Sequence, residues 1–304
     1  MTFCKKALIT GSSGMLGTDL VKALASNCDV LGIDTRRSTE EWIPTALIDL
    51  GDRLAVQAVF EQFKPDVVFH LAAMTNVDGC EKDRSLAYRM NVETTKNVVD
   101  SANLSGTFVV GFSTDYVFDG RKGAEYGEGD VPHPLNYYGE TKLHAEEYIQ
   151  NFAKHYTLFR ISWLFGRAGM SFPRTILEKA GHVNYFEVVS DQIGRPTHTQ
   201  DLADALKRVF LKEKNDTILD RQIFHLGNSG SVSWADYAEF ILKCSGGPKP
   251  EVRKILTPPN HRPAERPKDS VLSLDKSKRL LGIQMRSWEK AVEEFVHDYE
   301  NSKR

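Results

Sequence analysis

Residues Thr10-Gly11-Ser12-Ser13-Gly14-Met15-Leu16-Gly17 stand between an apolar run, Lys6 to Thr10, and a stretch that carries Leu16, Leu20 and Leu24 four residues apart. A strand, a glycine turn and an amphipathic helix in that order constrain the fold more than any other feature of the chain. Apolar residues spaced by four share one helical face. Glycines permit the tight turn and the close approach of an anion to backbone, and the helix amino terminus offers that anion unpaired N–H groups and the positive end of its dipole. The turn is therefore expected to cradle a dinucleotide pyrophosphate through Gly11, Ser13, Gly14, Met15 and Leu16. About 20 residues past Gly14, Asp34 closes the next apolar run, where a carboxylate hydrogen-bonds the adenosine ribose of NAD. Arg36 and Arg37 follow it and can meet the 2′-phosphate of NADP or remain solvated, so NADH and NADPH both stay open as cofactors.

The same alternation continues. Strands read at Val30 to Ile33, Ala46 to Leu50, Pro65 to Leu71, Thr107 to Phe112 and Thr157 to Ile161, with helices near Asp52 to Phe63, Leu86 to Asn103 and Tyr137 to Lys154. Near-continuous apolar strands separated by helices imply a parallel sheet covered on both faces, an α/β doubly wound fold. Lys plus Arg (39) nearly balances Asp plus Glu (41), which leaves no nucleic-acid footprint. Met1 to Lys6 lead into the first apolar run without a signal-peptide core, and no run is long enough for a membrane span, so a cytoplasmic protein is expected. Cys4, Cys28, Cys80 and Cys244 show no paired spacing and are read as reduced thiols.

In such a sheet, ligands bind beyond the carboxyl ends of the strands. Asp49 and Leu50 fall there beside the adenine, and Leu71, Ala72, Ala73 and Met74 end another strand, where the small side chains of Ala72 and Ala73 let a cofactor lie close. His70 reads as a packed strand residue. Thr114 and Asp115 end the fifth strand, and Thr114 can hold a substrate oxygen. Tyr138 and Lys142 stand four apart at a helix start that Asn136 can cap. Residues at that spacing share a face, and an ammonium beside a tyrosine favours the phenolate and brings the hydroxyl nearer working pH. The pair suits proton transfer to or from an alcohol or ketone. Beyond residue 163, strands are expected at Phe186 to Ser190 and Gln222 to Leu226, with helices at Gln200 to Leu211, Trp234 to Lys243 and Trp288 to Tyr299. Trp163 can stack on a base or sugar or fill the core; Arg266 can pair with a diphosphate, cap a helix or bridge lobes.

Taken together, Gly11-x-x-Gly14-x-x-Gly17, Leu71-Ala72-Ala73-Met74-Thr75-Asn76-Val77-Asp78, Ser113-Thr114-Asp115-Tyr116-Val117-Phe118-Asp119-Gly120, Pro134-Leu135-Asn136-x-Tyr138-Gly139-x-x-Lys142, Ser162-Trp163 and Arg266-Pro267-x-x-Ser270 make nearly the whole chain similar to the extended short-chain dehydrogenases/reductases, and among them to the dTDP-4-dehydrorhamnose reductases. The resemblance implies Thr114, Tyr138 and Lys142 as catalytic residues, the nicotinamide near Ala73 to Thr75, and the sugar near Thr75, Thr114, Asp115 and Trp163. It implies reduction of the C4 ketone of a dTDP-linked 6-deoxyhexulose. It also divides the chain into a dinucleotide-binding part, residues 1–166 and 191–227, and a substrate lobe, residues 167–190 and 228–304, and leaves a homodimer open. Met74 and Met170-Ser171 depart from the usual pattern. Some relatives hold magnesium through glutamates, but Asp19 and Gln200 stand in that region here, so no metal is expected. Two alternatives remain. One is a nucleotide-sugar epimerase or dehydratase, although Tyr116 occupies the position of the dehydratases' glutamate. The other is a regulatory subunit resembling methionine adenosyltransferase beta, which shares Asp115 to Gly120 but does not keep Trp163.

Overall fold

A computed structural model describes residues 4–37, 44–211, 216–259 and 262–303. Seven strands, β1 (Lys6–Thr10), β2 (Asp29–Asp34), β3 (Thr45–Leu47), β4 (Val67–His70), β5 (Phe108–Thr114), β6 (Tyr156–Ile161) and β7 (Gln222–His225), form one sheet in the order 3-2-1-4-5-6-7. Every pair in it is parallel. The fold is the doubly wound α/β sheet expected from the alternation of apolar runs.

Side-chain alternation along the strands builds a core on each face. Ala7, Ile9, Val67, Phe69, Val110 and Phe159 point to one side, where they meet helix α1 (Met15–Leu24) and the helix Thr199–Leu211 through Leu16, Leu20, Leu202 and Leu206. Leu8, Val68, Val109 and Leu158 point to the other, against Val56 and Phe60 of helix α2 (Arg53–Phe63), Val98 of the helix Thr94–Ser105 and Ile149 of the helix Tyr137–Phe152. Ile283 and Met285, late in the chain, join the first of these cores. A separate core lies outside the sheet, where Tyr237, Ile241, Trp288, Val292 and Phe295 pack with Phe165 and Ile176.

Element boundaries differ from the sequence reading where polar side chains intervene. The helix expected over 86–103 is interrupted: short helices at Val77–Lys82 and Arg84–Tyr88 lead through a widened π turn, Arg89–Glu93, into Thr94–Ser105. In that turn the Thr94 and Thr95 hydroxyls donate to the carbonyls of Met90 and Asn91, at 2.7 Å each, supplying partners that the wider ladder leaves open. The strand Glu251–Ile255, in a stretch where no strand is expected from the sequence, pairs with Tyr185–Val189. Its burial alternates poorly, so its sequence gives little strand signal. The thiols also depart from their scattered appearance: Cys4 and Cys28 are buried with sulfurs 3.1 Å apart, both free. Among the described residues no helix is long and apolar enough to cross a membrane.

Candidate active site

Strand order reverses between β1 and β4, and a cleft of about 820 Å³ opens there at the strands' carboxyl ends. Its first wall is the glycine turn. Gly11 has φ +66°, and a Cβ on it would lie 2.9 Å from the Ala72 nitrogen; a Cβ on Gly17 would lie 2.1 Å from the Gly11 oxygen. The turn is thus folded so tightly onto β4 that only glycine fits. Gly14 begins α1 with no side chain capping the first turn, so its N–H groups remain open beside Gly14, Met15, Leu16 and Gly17 in the cleft wall. That donor set fits a pyrophosphate. Ser13, expected to contact the cofactor, is not in the wall; its N–H and hydroxyl are both given to Asp34. Asp34, Arg36, Asp49 and Leu50 also line the cleft.

The middle of the cleft is shaped by a buried polar relay. Thr10 Oγ1 accepts the N–H groups of Leu71 and Ala72 and donates to His70 Nδ1 at 2.9 Å. Since Thr95 gives its own proton to Asn91, His70 Nε2 donates to Thr95 Oγ1 at 3.0 Å. Burial holds His70 neutral, its pKa pushed down to about 3. This histidine is a structural clasp that opens the end of β4, as its strand position suggested. Leu71, Ala72, Ala73 and Thr75 line the cleft, but Met74 does not: its N–H is held by Asn91 Oδ1 at 2.7 Å and its side chain lies toward Gly79. Asn91 also donates to Thr141 Oγ1 at 2.9 Å, so one buried amide joins the end of β4 to the helix that carries Tyr138 and Lys142. The sequence reading missed Asn91, because Arg89, Glu93, Thr94, Thr95 and Lys96 around it are polar too and nothing in the sequence singles it out.

The helix Tyr137–Phe152 starts where two segments hold it. Asn136 Oδ1 accepts the Gly139 N–H at 2.9 Å, and Glu81 accepts that of Tyr137 at the same distance. A Cβ on Gly139 would lie 2.2 Å from the Tyr116 oxygen, so glycine lets this helix press against the turn after β5. The contact sets the rings of Tyr116 and Tyr138 edge to face, with centroids 5.9 Å apart. Thr114, Asp115, Tyr138 and Lys142 consequently line one part of the cleft. Thr114 donates to Asp115 Oδ1 at 3.0 Å and Ser270 donates to Oδ2 at 2.6 Å. Burial raises the Asp115 carboxyl to about 6 against those hydrogen bonds. Burial lowers Lys142 to about 8, opposed by Glu146 one turn on, and Arg160 in turn grips Glu146 with two nitrogens.

Tyr138 corrects one expectation. Its hydroxyl is shifted upward rather than toward neutrality: burial dominates, the Thr114 hydroxyl pulls the other way, and Asp115, Tyr116 and Cys80 add to the rise. The spacing to Lys142 puts both residues in the cleft, but burial sets the direction of the tyrosine's shift. The result is a tyrosine that keeps its proton at neutral pH and can give it up only to a stronger base, such as a forming alkoxide. Ser113, which opens the motif at the end of β5, lines the same region with a buried hydroxyl that finds no partner among the described residues. A ligand would satisfy it.

Trp163 stands in the cleft wall in a left-handed backbone conformation, φ +45°. Trp234 stacks on one face of its indole, with centroids 3.5 Å and planes 10° apart, and a Cβ on Gly194 would fall 2.2 Å from the ring. The indole is sandwiched, so it presents its rim rather than a stacking face. Trp234, Gly169 and Met170 complete that wall and were not anticipated. Arg266 does not line the cleft: its guanidinium holds both carboxylate oxygens of Asp78, at 2.6 and 2.9 Å, and thereby bridges residues late in the chain to the segment after β4. Of the roles open to it from sequence, the structure displays the bridge.

Comparison with known proteins agrees with this geometry. A family model described as the RmlD substrate binding domain matches residues 5–301. The chain is 33% identical over 294 residues to a dTDP-4-dehydrorhamnose reductase of Aggregatibacter actinomycetemcomitans, covering 94% of this chain and 97% of that protein. The crystal structure of a dTDP-4-dehydrorhamnose reductase from Bacillus anthracis in complex with NADP superposes with a TM-score of 0.86 at 32% identity, covering 97% and 99% of the two chains. An orthologous reductase from Clostridium acetobutylicum gives the same TM-score and coverage at 34% identity.

Proposed function

Because the chain belongs to the RmlD substrate-binding-domain family, we propose that it is an NAD(P)H-dependent oxidoreductase reducing the C4 ketone of dTDP-4-dehydro-6-deoxy-L-mannose (dTDP-4-dehydrorhamnose) to dTDP-L-rhamnose. The observation that carries the reading is the convergence of Thr114, Tyr138 and Lys142 on the same cleft as the open helix terminus at Gly14. The reduced dinucleotide, when bound, supplies the hydride. Gly11, Gly14, Met15 and Leu16 would hold its pyrophosphate, Ala72 and Ala73 would leave room for its nicotinamide end, and the Lys142 ammonium would donate to ribose hydroxyls. Thr114, whose hydroxyl otherwise donates to Asp115, would turn its one proton to the carbonyl oxygen and so position it. Tyr138 gives that oxygen a proton as charge develops on it, and the raised pKa keeps the proton in place until then. Hydride and proton together convert the ketone into an alcohol.

In the same proposal residues 1–166 and 191–227 hold the dinucleotide, while residues 167–190 and 228–304 close over the nucleotide-sugar with Thr75 and Trp163 against the sugar. The setting is the cytoplasm, where activated sugars and reduced dinucleotides are both dissolved, and the working unit is a homodimer, which sedimentation would verify. The decisive experiment follows NADH and NADPH oxidation at the nicotinamide absorbance band with dTDP-4-dehydrorhamnose supplied and withheld. Substrate-dependent oxidation is expected, and Tyr138→Phe is expected to lower turnover by about 100-fold or more with dinucleotide binding kept. Oxidation that ignores the sugar, or full turnover in that variant, would overturn the assignment. Bound nicotinamide in the purified protein would point instead to an epimerase or dehydratase, and binding without turnover to a regulatory subunit.

A further inference from the structure

Two thiols that take no part in the cleft meet at the other end of the sheet. Cys4 lies two residues before β1 and Cys28 one residue before β2, and both are buried, with 0% and 8% of their surface exposed. Strand pairing brings them together: Lys6 faces Asp29, and the Asp29 N–H donates to the Lys5 oxygen at 2.8 Å. Neighbouring strands run about 4.8 Å apart, inside the Cα separation of about 4.4–6.8 Å that a disulfide spans. The sulfurs are free and stand 3.1 Å apart, about 1 Å beyond bonding distance. The Cys28 thiol donates to the Cys4 oxygen at 3.2 Å, so in the contact between the sulfurs it is the Cys4 thiol that donates. That hydrogen bond lowers the pKa of Cys28, with burial and Asp66 opposing it and Lys207 assisting, and it raises that of Cys4. Ser26 and Asn27 beside Cys28 are exposed, which places its sulfur nearer to solvent than that of Cys4.

We propose that Cys4 and Cys28 are a dithiol modification site for peroxides, and that the resulting disulfide staples the β1, glycine-turn and α1 unit at its base. The Cys28 thiolate attacks one peroxide oxygen, the O–O bond breaks, and the departing hydroxide takes the thiol's proton and leaves as water; Cys28 becomes a sulfenic acid. The Cys4 sulfur then attacks the Cys28 sulfur, the S–O bond breaks, and a second water leaves with the Cys4 proton. Two thiols are oxidised and one peroxide is reduced to two waters. The disulfide closes a loop that contains β1, the turn and all of α1. It lies at the amino end of β1, about 16 Å of strand away from the cleft, so it restrains unfolding of the unit without entering the site. The inference does not depend on which ligand the cleft holds.

The test treats the full-length protein, first reduced, with hydrogen peroxide, then counts its thiols after denaturation and maps them in tryptic peptides by mass spectrometry. Two of the four thiols are expected to disappear into a peptide that joins residues 1–5 to residues 23–36 and that a thiol reductant splits. The thermal midpoint should rise by about 3–5 °C, as a loop of this size implies, and fall back on reduction. A Cys4→Ala, Cys28→Ala double variant given the same treatment should show no rise, which separates the staple from oxidation elsewhere. In Cys4→Ala alone, the sulfenic acid on Cys28 is expected to persist and to be trapped by dimedone. Four thiols surviving the peroxide, loss confined to Cys80 or Cys244, or a linked protein whose midpoint does not rise would each overturn the proposal. If a variant does not fold, the peptide map and midpoint of the unsubstituted chain decide the matter by themselves.

Discussion

Burial acts in opposite directions on the acids and the base at the centre of the cleft. It raises Asp115 to about 6 and holds Tyr138 protonated, and it lowers Lys142 to about 8. Below about 6 Asp115 takes a proton and loses an acceptor for the Thr114 hydroxyl; above about 8 Lys142 loses the charge that it would offer to ribose oxygens. The ratio kcat/KM, which reports the free enzyme, is therefore expected to follow a bell with an acid limb near 6 and an alkaline limb near 8. Asp115→Asn should erase the acid limb alone, and a profile flat from 5 to 9 would refute the assignment of both groups. The stability contribution of Lys142 has a definite sign. Its folded pKa lies below the ordinary lysine value, so between about 8 and that value the unfolded chain holds more protons and folding gains stability as pH rises. At this scale the sequence was informative about identity and silent about environment. Tyr138 and Lys142 were legible from spacing, but a four-residue interval does not record how completely a hydroxyl is enclosed, so the direction of the tyrosine shift was misread. Arg266 likewise shows its type in the sequence and its partner, Asp78, only in space.

The glycine turn is the element on which the cofactor end depends. A methyl group at Gly17 would meet the Gly11 oxygen at 2.1 Å and the Ser12 Cα at 2.8 Å, backbone atoms that cannot swing aside. Gly17→Ala is expected to cost about 2–3 kcal/mol of stability, read from urea unfolding, and to weaken both dinucleotides. An unchanged midpoint with intact binding would show that the turn tolerates more movement than its packing implies. Periodic elements were legible because strand and helix spacings survive in sequence: the strands near the cleft fall within a few residues of their expected places. The π turn at Arg89–Glu93 was not legible, because one extra residue in a helical turn leaves the apolar pattern nearly intact while redirecting Asn91 into the core. Trp234 escaped notice for a related reason. It opens a helix with an ordinary apolar face, and its stacking on Trp163 depends on how distant segments meet.

At the scale of the molecule, the chain does not finish one lobe before it begins the next. It leaves the sheet after β6, contributes Phe172–Lys179 and Tyr185–Val189 to the outer core, and returns with Thr199–Leu211 and β7 before leaving again. A fragment of residues 1–166 would retain the glycine turn and the whole Tyr138 helix yet lack the strand that covers β6 and the helix that covers α1. All six residues of β6 are buried in the intact chain, so the fragment would expose a long apolar edge. It is expected to sediment as aggregate on expression, whereas a soluble fragment that binds NADPH would show that the first lobe folds without the returning segment. The threading also limits how relatives could exchange sugar specificity. On the division proposed above, transplanting residues 167–190 and 228–304 requires three junctions, near residues 166, 190 and 227, so a single crossover between two such genes delivers a mismatched core, and new specificities are more accessible through point changes in the cleft wall than through exchange of whole lobes.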